Sequence, residues 1–321
     1  MKRTMLSIFL CAAMLSSPAQ VFAEGMGGGP GGRGGNGGPG GMGGMQTQND
    51  SEIQEAIDAV SGKFSQFTYT DPEMGTELEY SLYIPDDYDA GTEYPMIMFI
   101  PDSTGSGKSA AELVEQYYGA AVWASDEEQE KHPSFVLVPA FTDTVVDDNW
   151  NTSDQIETAV KLIGSLQEEY SIDADRLYTT GQSMGCMTSL YLNSQYPELF
   201  AASLFVSGQW DSSVLTPLAN ATFFYITAGG DEKASGGQTE VMNMMYDAGV
   251  SYSYGEWNAQ NSEEEQNGAA AQLISEGNGA NFIRFETGSV LDGGQGMEHM
   301  ASFNYAYKID TVRDWLFEQT K

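Results

Sequence analysis

The chain has 321 residues, 41% of them hydrophobic, and a formal net charge of −33 at pH 7 from 13 Lys and Arg against 46 Asp and Glu. So acidic a surface repels DNA, RNA and anionic membranes, so nucleic-acid partners are not expected; solubility outside the cell or tolerance of salt is the plain meaning of the charge. The length suffices for one domain that buries most of its surface on folding.

Lys2 and Arg3 form a short positive region. They precede an apolar run, "MLSIFLCAAML" (Met5 to Leu15), too short to span a bilayer comfortably. Val21, Phe22 and Ala23 then offer a small-residue cleavage site, so residues 1–23 are expected to be a signal peptide and the protein to be secreted, periplasmic or at the cell surface. Cys11 leaves with that segment and has no small residue before it, which argues against a lipoprotein anchor. Cys186 remains alone, so no internal disulfide is expected, nor any membrane insertion after cleavage. Residues 24–52 follow as a glycine-rich tail; Gly25 to Met45 alone carries 14 of the 37 glycines. Such a run buries almost nothing, has too much backbone entropy to lose, and lacks the strict triplet of collagen, so it is expected to be a disordered tail.

From residue 53 to 321 the composition becomes that of an ordinary domain. "KFSQFTYT" and "ELEYSLYIP" alternate like two early strands. "YPMIMFI" (Tyr94 to Ile100) and "SFVLVPA" (Ser134 to Ala140) are continuous apolar runs, as in strands covered on both faces. "DRLYTTG", "LFAASLFVSG", "ATFFYITAG" and "NFIRFET" are further strands. Between them, "SAAELVEQYYGAAVWA", "TSDQIETAVKLIGSLQEEY", "QSMGCMTSLYLNSQY", "GQTEVMNMMYDAG" and "EEEQNGAAAQLISEG" have helical character, and "FNYAYKIDTVRDWLFEQT" closes the chain as a helix. Strands alternating with helices predict an α/β fold: a mostly parallel central sheet with helices on both faces and its site at the carboxyl ends of the strands.

Two loops carry chemistry. "DSTGSGKS" (Asp102 to Ser109) matches a phosphate-binding P-loop at all but its first position, where Asp102 replaces glycine. A carboxylate there repels phosphate, and ATP is scarce outside the cytoplasm, so nucleotide binding is not expected. "GQSMG" (Gly181 to Gly185) is G-x-S-x-G between a strand and a helix. In that context the glycines permit a turn that exposes the Ser183 hydroxyl, and the helix N-terminus behind it favours developing negative charge. A serine needs a base. Of His132 and His299, only His299 follows the serine in the order Ser, acid, His; it is expected in a loop before the last helix. The acid falls on Asp231, after the strand ending "FFYITAGG", in preference to its neighbour Glu232 and to Asp292. The oxyanion donors are expected to be the Met184 N–H and, from the glycine-rich loop after the third strand, the Ser103 N–H, with the Asp102 N–H next in order. Trp150, Trp210 and Gln182 are candidates to line a substrate cleft, with a core or rim position the plainer reading for the tryptophans. Cys186 and Met187 are read as packing. No Cys/His cluster has metal-ligand spacing, so no metal and no cofactor is expected.

"IDADRLYTTGQSMGCMTSLYLNSQYPELFAA", "GGDEKA" and "HMASFNYAYKIDTVRDWL" together resemble the α/β-hydrolase superfamily from about Glu77 to the C-terminus. Within it the chain looks like secreted esterases grouped with polyhydroxybutyrate depolymerases, feruloyl esterases and peptidases of the prolyl-oligopeptidase type. The resemblance implies a serine hydrolase with Ser183 as nucleophile, Asp231 as acid and His299 as base. It would act on an ester-bearing small molecule or polymer, with a serine peptidase as the alternative and a non-catalytic binding module as a third reading that the intact Ser, Asp, His order disfavours. The family often has His-Gly at the oxyanion loop; this chain has Pro101-Asp102.

Overall fold

The structure, a computed structural model, describes residues 48–321. The expected signal peptide and the glycine-rich tail up to residue 47 lie outside the described residues. Residues 48–52, expected in the tail, instead open helix α1 (Gln48–Val60). That helix turns Ile53, Ile57 and Val60 inward at helical spacing.

Nine strands among the described residues form one sheet. They are β1 (Ser65–Thr70), β2 (Glu77–Tyr83), β3 (Tyr94–Ile100), β4 (Phe135–Ala140), β5 (Ile172–Gln182), β6 (Ala202–Val206), β7 (Phe223–Ala228), β8 (Tyr252–Trp257) and β9 (Ala280–Phe285). Their order is β1-β2-β4-β3-β5-β6-β7-β9-β8. The β1–β2 and β2–β4 pairs are antiparallel and every later pair is parallel. Eight of these strands are expected from the sequence. The ninth, β8, is an edge strand whose half-exposed "YSYGEW" gives no clean apolar signal.

The strand period of two divides the interior into two cores. Met96, Met98 and Ile100 of β3 join Phe135 and Leu137 of β4 on one face, while Ile97 and Phe99 join Val136 and Val138 on the other. The first face is covered by α5 (Gln155–Glu169), α6 (Met184–Gln195) and α7 (Glu232–Asp247). The second is covered by α1, α2 (Ala110–Val114), α3 (Tyr118–Ala121), α8 (Glu263–Ser275), α9 (Glu298–Tyr307) and α10 (Asp310–Phe317).

Two helices expected as single are broken. Ser109 to Ala124 divides into α2, α3 and a 3-10 turn because Tyr117 takes extended backbone, φ −113° and ψ 113°. The break lets the Tyr117 hydroxyl reach the Asp102 carboxylate at 3.1 Å. The closing helix begins earlier than expected, at Glu298, and divides at Ile309 into α9 and α10. Arg313 of α10 turns into the core. There it donates to Glu128 of α4 (Asp126–Lys131) at 2.8 Å and to the Tyr307 carbonyl. Both charges are nearly inaccessible, and Arg313 also pairs with Asp310, so removing Arg313 strands the buried Glu128 carboxylate at a cost of about 3–5 kcal/mol.

Candidate active site

The β5 register sets the nucleophile turn. Gly181 pairs with Ile100 of β3 on one side and Phe205 of β6 on the other, so the strand stays in the sheet until it turns. Ser183 then takes φ 52° and ψ −115° and donates its N–H to the Val206 carbonyl at 3.0 Å. A non-glycine residue held there costs about 1–3 kcal/mol, which the surrounding sheet must offset. The flanking glycines are steric necessities. A Cβ on Gly185 would lie 1.9 Å from the Ile100 carbonyl oxygen, and one on Gly181 would lie 2.5 Å from the Gly185 carbonyl carbon. Helix α6 therefore starts hard against β3, with Cys186 and Met187 packed into the core behind the turn. Burial pushes the Cys186 thiol far up.

The loops after β7 and β9 meet Ser183 from the other side. His299 Nε2 lies 2.8 Å from Ser183 Oγ, and His299 Nδ1 lies 2.6 Å from Asp231 Oδ2. An ionised carboxylate only accepts, so Nδ1 carries the proton and Nε2 is free to accept from the serine hydroxyl. Asp231 is itself buried and uses Oδ1 to cap α7 at the Ala234 N–H, 3.2 Å away. Glu232 is exposed, and Asp292 is exposed in left-handed backbone; neither bonds His299. His299 is not in a loop as expected but in the first turn of α9. Its carbonyl accepts from Ser302 Oγ, which pairs with Ser207 Oγ at 2.7 Å, and Phe303 meets the imidazole edge-on at 5.1 Å. His132 stands apart, bonded to Asp314 at 2.9 Å and stacked on Phe317.

The glycine-rich loop is built for packing and turning. Gly105 lies where a Cβ would meet Pro101 and Leu113 at about 3 Å, and Gly107 has φ 77° and donates to the Phe141 carbonyl. The helix after it, α2, has only five residues and is capped by Ser109 and Glu112. Lys108 turns aside to bond Gln116. The Asp102 carboxylate is buried in the loop and accepts from Thr104 N, Thr104 Oγ1, Tyr117 OH and Gln182 Nε2. The N–H groups of Ser103 and Met184 have no acceptor among the described residues. They follow the carboxyl ends of the neighbouring strands β3 and β5, Ser103 in a 3-10 turn and Met184 at the start of α6.

Trp150 is 41% exposed with φ 64°, whereas Trp210 is buried; their rings meet edge-to-face at 5.3 Å. They border a groove of about 330 Å³ shared with Asp148, Glu232 and Lys233, next to the Asp231 loop. Gln182, expected at the cleft, is buried and committed to Asp102. Glu298 gave no signal in the sequence. Its carboxylate accepts the N–H groups of Gly230 at 2.9 Å and Gly288 at 2.8 Å, joining the acid loop to the loop after β9.

Comparison with known proteins places this geometry in context. The model of the Esterase family, described as "Putative esterase", matches residues 72–295. No curated protein shows a significant sequence match. Among solved structures, a thermostable esterase is 25% identical over 82% of this chain, with a TM-score of 0.65. This chain spans 64% of that protein's length. A mutant feruloyl esterase module from Clostridium thermocellum, complexed with sinapinate, is 13% identical over 80% of this chain and 88% of its own, with a TM-score of 0.57. A ferulic acid esterase is 12% identical over 78% of this chain and 98% of its own, with a TM-score of 0.51. The fold shared with these proteins is the α/β-hydrolase fold.

Proposed function

The chain belongs to the Esterase family, and we propose from that premise that it is an exported serine hydrolase cleaving carboxylic esters through Ser183, His299 and Asp231. The observation that carries the reading is the unbroken hydrogen-bonded chain from Ser183 Oγ through both imidazole nitrogens to Asp231.

In the acylation step Ser183 Oγ attacks the ester carbonyl while His299 Nε2 takes its proton. Asp231 holds the imidazole in the required tautomer and stabilises its cation. The Ser103 and Met184 N–H groups, free of other acceptors, hold the oxyanion. The tetrahedral intermediate collapses, His299 protonates the departing alcohol, and Ser183 keeps the acyl group. Water then repeats the sequence, with His299 as base, to release the acid and restore the serine. Export rests on the basic and apolar start of the chain; no described helix is long and apolar enough to cross a membrane.

The groove beside the Asp231 loop is bordered by the exposed face of Trp150 and by Asp148 and Glu232, with Lys233 paired to Asp148. It suits an uncharged, flat acyl or alcohol portion better than an anionic one. The test is turnover of a panel of aryl esters, alkyl esters and peptide amides by the wild-type protein and by Ser183→Ala. Ester turnover that depends on Ser183, with amides resisting, supports the reading. Preferential cleavage of amides would move the protein to the serine peptidases, which share this machinery. No Ser183-dependent turnover would leave only a binding module on a hydrolase fold.

A further inference from the structure

Asp102 is a carboxylate 3% exposed, with no cation bonded to it among the described residues. It lies in the loop that supplies the proposed Ser103 donor. A buried carboxylate there carries two penalties: it is taken from water without a counter-ion, and its charge opposes an oxyanion forming nearby. Such a group persists only where its acceptor capacity is used. Asp102 uses both of its oxygens, and its donors come from three separate segments.

Oδ1 accepts from Thr104 N at 2.9 Å, Thr104 Oγ1 at 2.6 Å and Tyr117 OH at 3.1 Å; Oδ2 accepts from Gln182 Nε2 at 2.8 Å. The Thr104 bonds fold the loop back on itself as a capped 3-10 turn beginning at Ser103. They also occupy the Thr104 N–H, whereas the Ser103 N–H keeps no acceptor among the described residues. Tyr117, whose hydroxyl oxygen lies 2.9 Å from Thr104 Oγ1, anchors the turn to the segment before α3. Gln182 is the residue before Ser183, so the fourth bond runs from the oxyanion loop to the nucleophile turn. The two donors proposed for the oxyanion, Ser103 and Met184, flank this bridge: each is one residue beyond a bridge residue or the nucleophile that follows it.

We infer that Asp102 is a positioning residue. Through Gln182 it fixes the separation of the loop after β3 from the nucleophile turn, so that the Ser103 and Met184 N–H groups converge on one oxygen. The inference rests on the serine-hydrolase reading above and adds to it the device that sets the oxyanion geometry where the family pattern of His-Gly is missing. It also gives the Pro101-Asp102 pair a purpose other than phosphate binding.

The bridge makes a prediction that depends on acceptor geometry rather than on charge. Asparagine at position 102 keeps an acceptor for Thr104 and Tyr117, and its amide donates to Gln182 once the Gln182 amide turns over to present its oxygen. Alanine keeps nothing. Misplacing a reacting group by about 1 Å costs about a hundred-fold in rate. Asp102→Ala and Gln182→Ala should therefore each lower kcat for a small aryl ester by about ten- to a hundred-fold with KM little changed. The double variant should lose no more than the worse single variant, because both break one bridge. Asp102→Asn should restore most of the turnover lost in Asp102→Ala.

The experiment measures kcat and KM for the three single variants, the double variant and Ser183→Ala, with circular dichroism to establish folding. Gln182→Ala keeps three of the four donors to Asp102 in place, so it carries the test if Asp102→Ala does not fold. An active, Ser183-dependent enzyme whose folded Asp102→Ala and Gln182→Ala variants keep wild-type kcat would overturn this inference alone. So would additive losses in the double variant, or an asparagine variant as impaired as alanine. Wild-type protein that hydrolyses no ester, or does so without Ser183, would overturn the functional reading and this inference with it.

Discussion

The Glu298 carboxylate accepts the Gly230 N–H at 2.9 Å, joining the residue before His299 to the residue before Asp231. Its other oxygen accepts the Gly288 N–H at 2.8 Å, so one side chain at the start of the helix that carries the proposed base ties together the loop of the proposed acid and the loop after β9. A Cβ on Gly230 would lie 2.0 Å from that carboxylate, so the glycine is what admits the contact. The 2.6 Å bond between Asp231 and His299 is thus framed by a contact between the residues one position before each of them.

Glu298→Ala should lower kcat for aryl esters by about ten- to a hundred-fold, since the acid loop loses its tie to the start of the helix that carries the base. Glu298→Gln keeps an acceptor on one oxygen only and turns an NH₂ toward a backbone donor, so it should fall between alanine and wild type. Steady-state kinetics on folded variants decides it; wild-type kcat in Glu298→Ala would show the contact to be dispensable.

Asp231→Asn should cost far more activity than Glu232→Gln. The Asp231 carboxylate is buried against the imidazole, whereas Glu232 points to solvent. Replacing the carboxylate by an amide removes the acceptor that selects the Nδ1–H tautomer. Matched kcat/KM measurements on the two variants check the order; the reverse order would reassign the acid.

Much of this arrangement was legible in the chain because it is written in local patterns. "GQSMG" between an apolar strand and a helix is a short-range signal, and the order Ser183, Asp231, His299 is read directly along the chain. The Asp102 bridge was not legible, because Gln182 and Tyr117 are 80 and 15 residues from it and meet it only through the β3–β5 pairing and the break in the helix at Tyr117. Gln182, a candidate cleft residue next to the nucleophile, is instead turned inward at the end of β5 and committed to Asp102. His299 looked like a loop residue because "GGQGMEH" is rich in turn formers, and the helix start four residues after the last glycine-rich pair has no side-chain cap to announce it. Edge strand β8 was hidden by Gly255 and its half-exposed residues.

Gly185→Ala should fail to fold stably. A methyl group 1.9 Å from the Ile100 carbonyl oxygen cannot be relieved by a flexible side chain, because the obstacle is backbone. Overpacking of this kind costs about 1–3 kcal/mol and more when backbone must move. Denaturant unfolding with an unchanged midpoint would contradict the contact.

Asp71 supplies a pH test of the fold. Its inaccessible carboxylate accepts from Lys161 Nζ at 2.9 Å and from the Glu73 and Met74 N–H groups. The Lys161 hydrogen bond, helped by those backbone donors, holds it below the ordinary carboxylate range. A depressed folded value means the unfolded chain binds the proton more readily, so the stabilisation is fully present above the ordinary carboxylate range and is lost as pH falls through the depressed value. Wild-type protein should therefore exceed Asp71→Asn in stability at neutral pH, and the gap should close on acidification. A gap that stays constant down to strongly acid pH, measured by urea unfolding, would contradict the pairing.

The central claim is that Ser183 becomes covalently acylated with His299 as its base, and covalent labelling tests it most directly. Treating the wild-type protein with a fluorophosphonate and mapping peptides by mass spectrometry should give one adduct, on the peptide containing Ser183, in proportion to the ester turnover lost. His299→Ala should label far more slowly and Ser183→Ala not at all. Loss of turnover with the adduct elsewhere, or full turnover by protein modified at Ser183, would contradict the account.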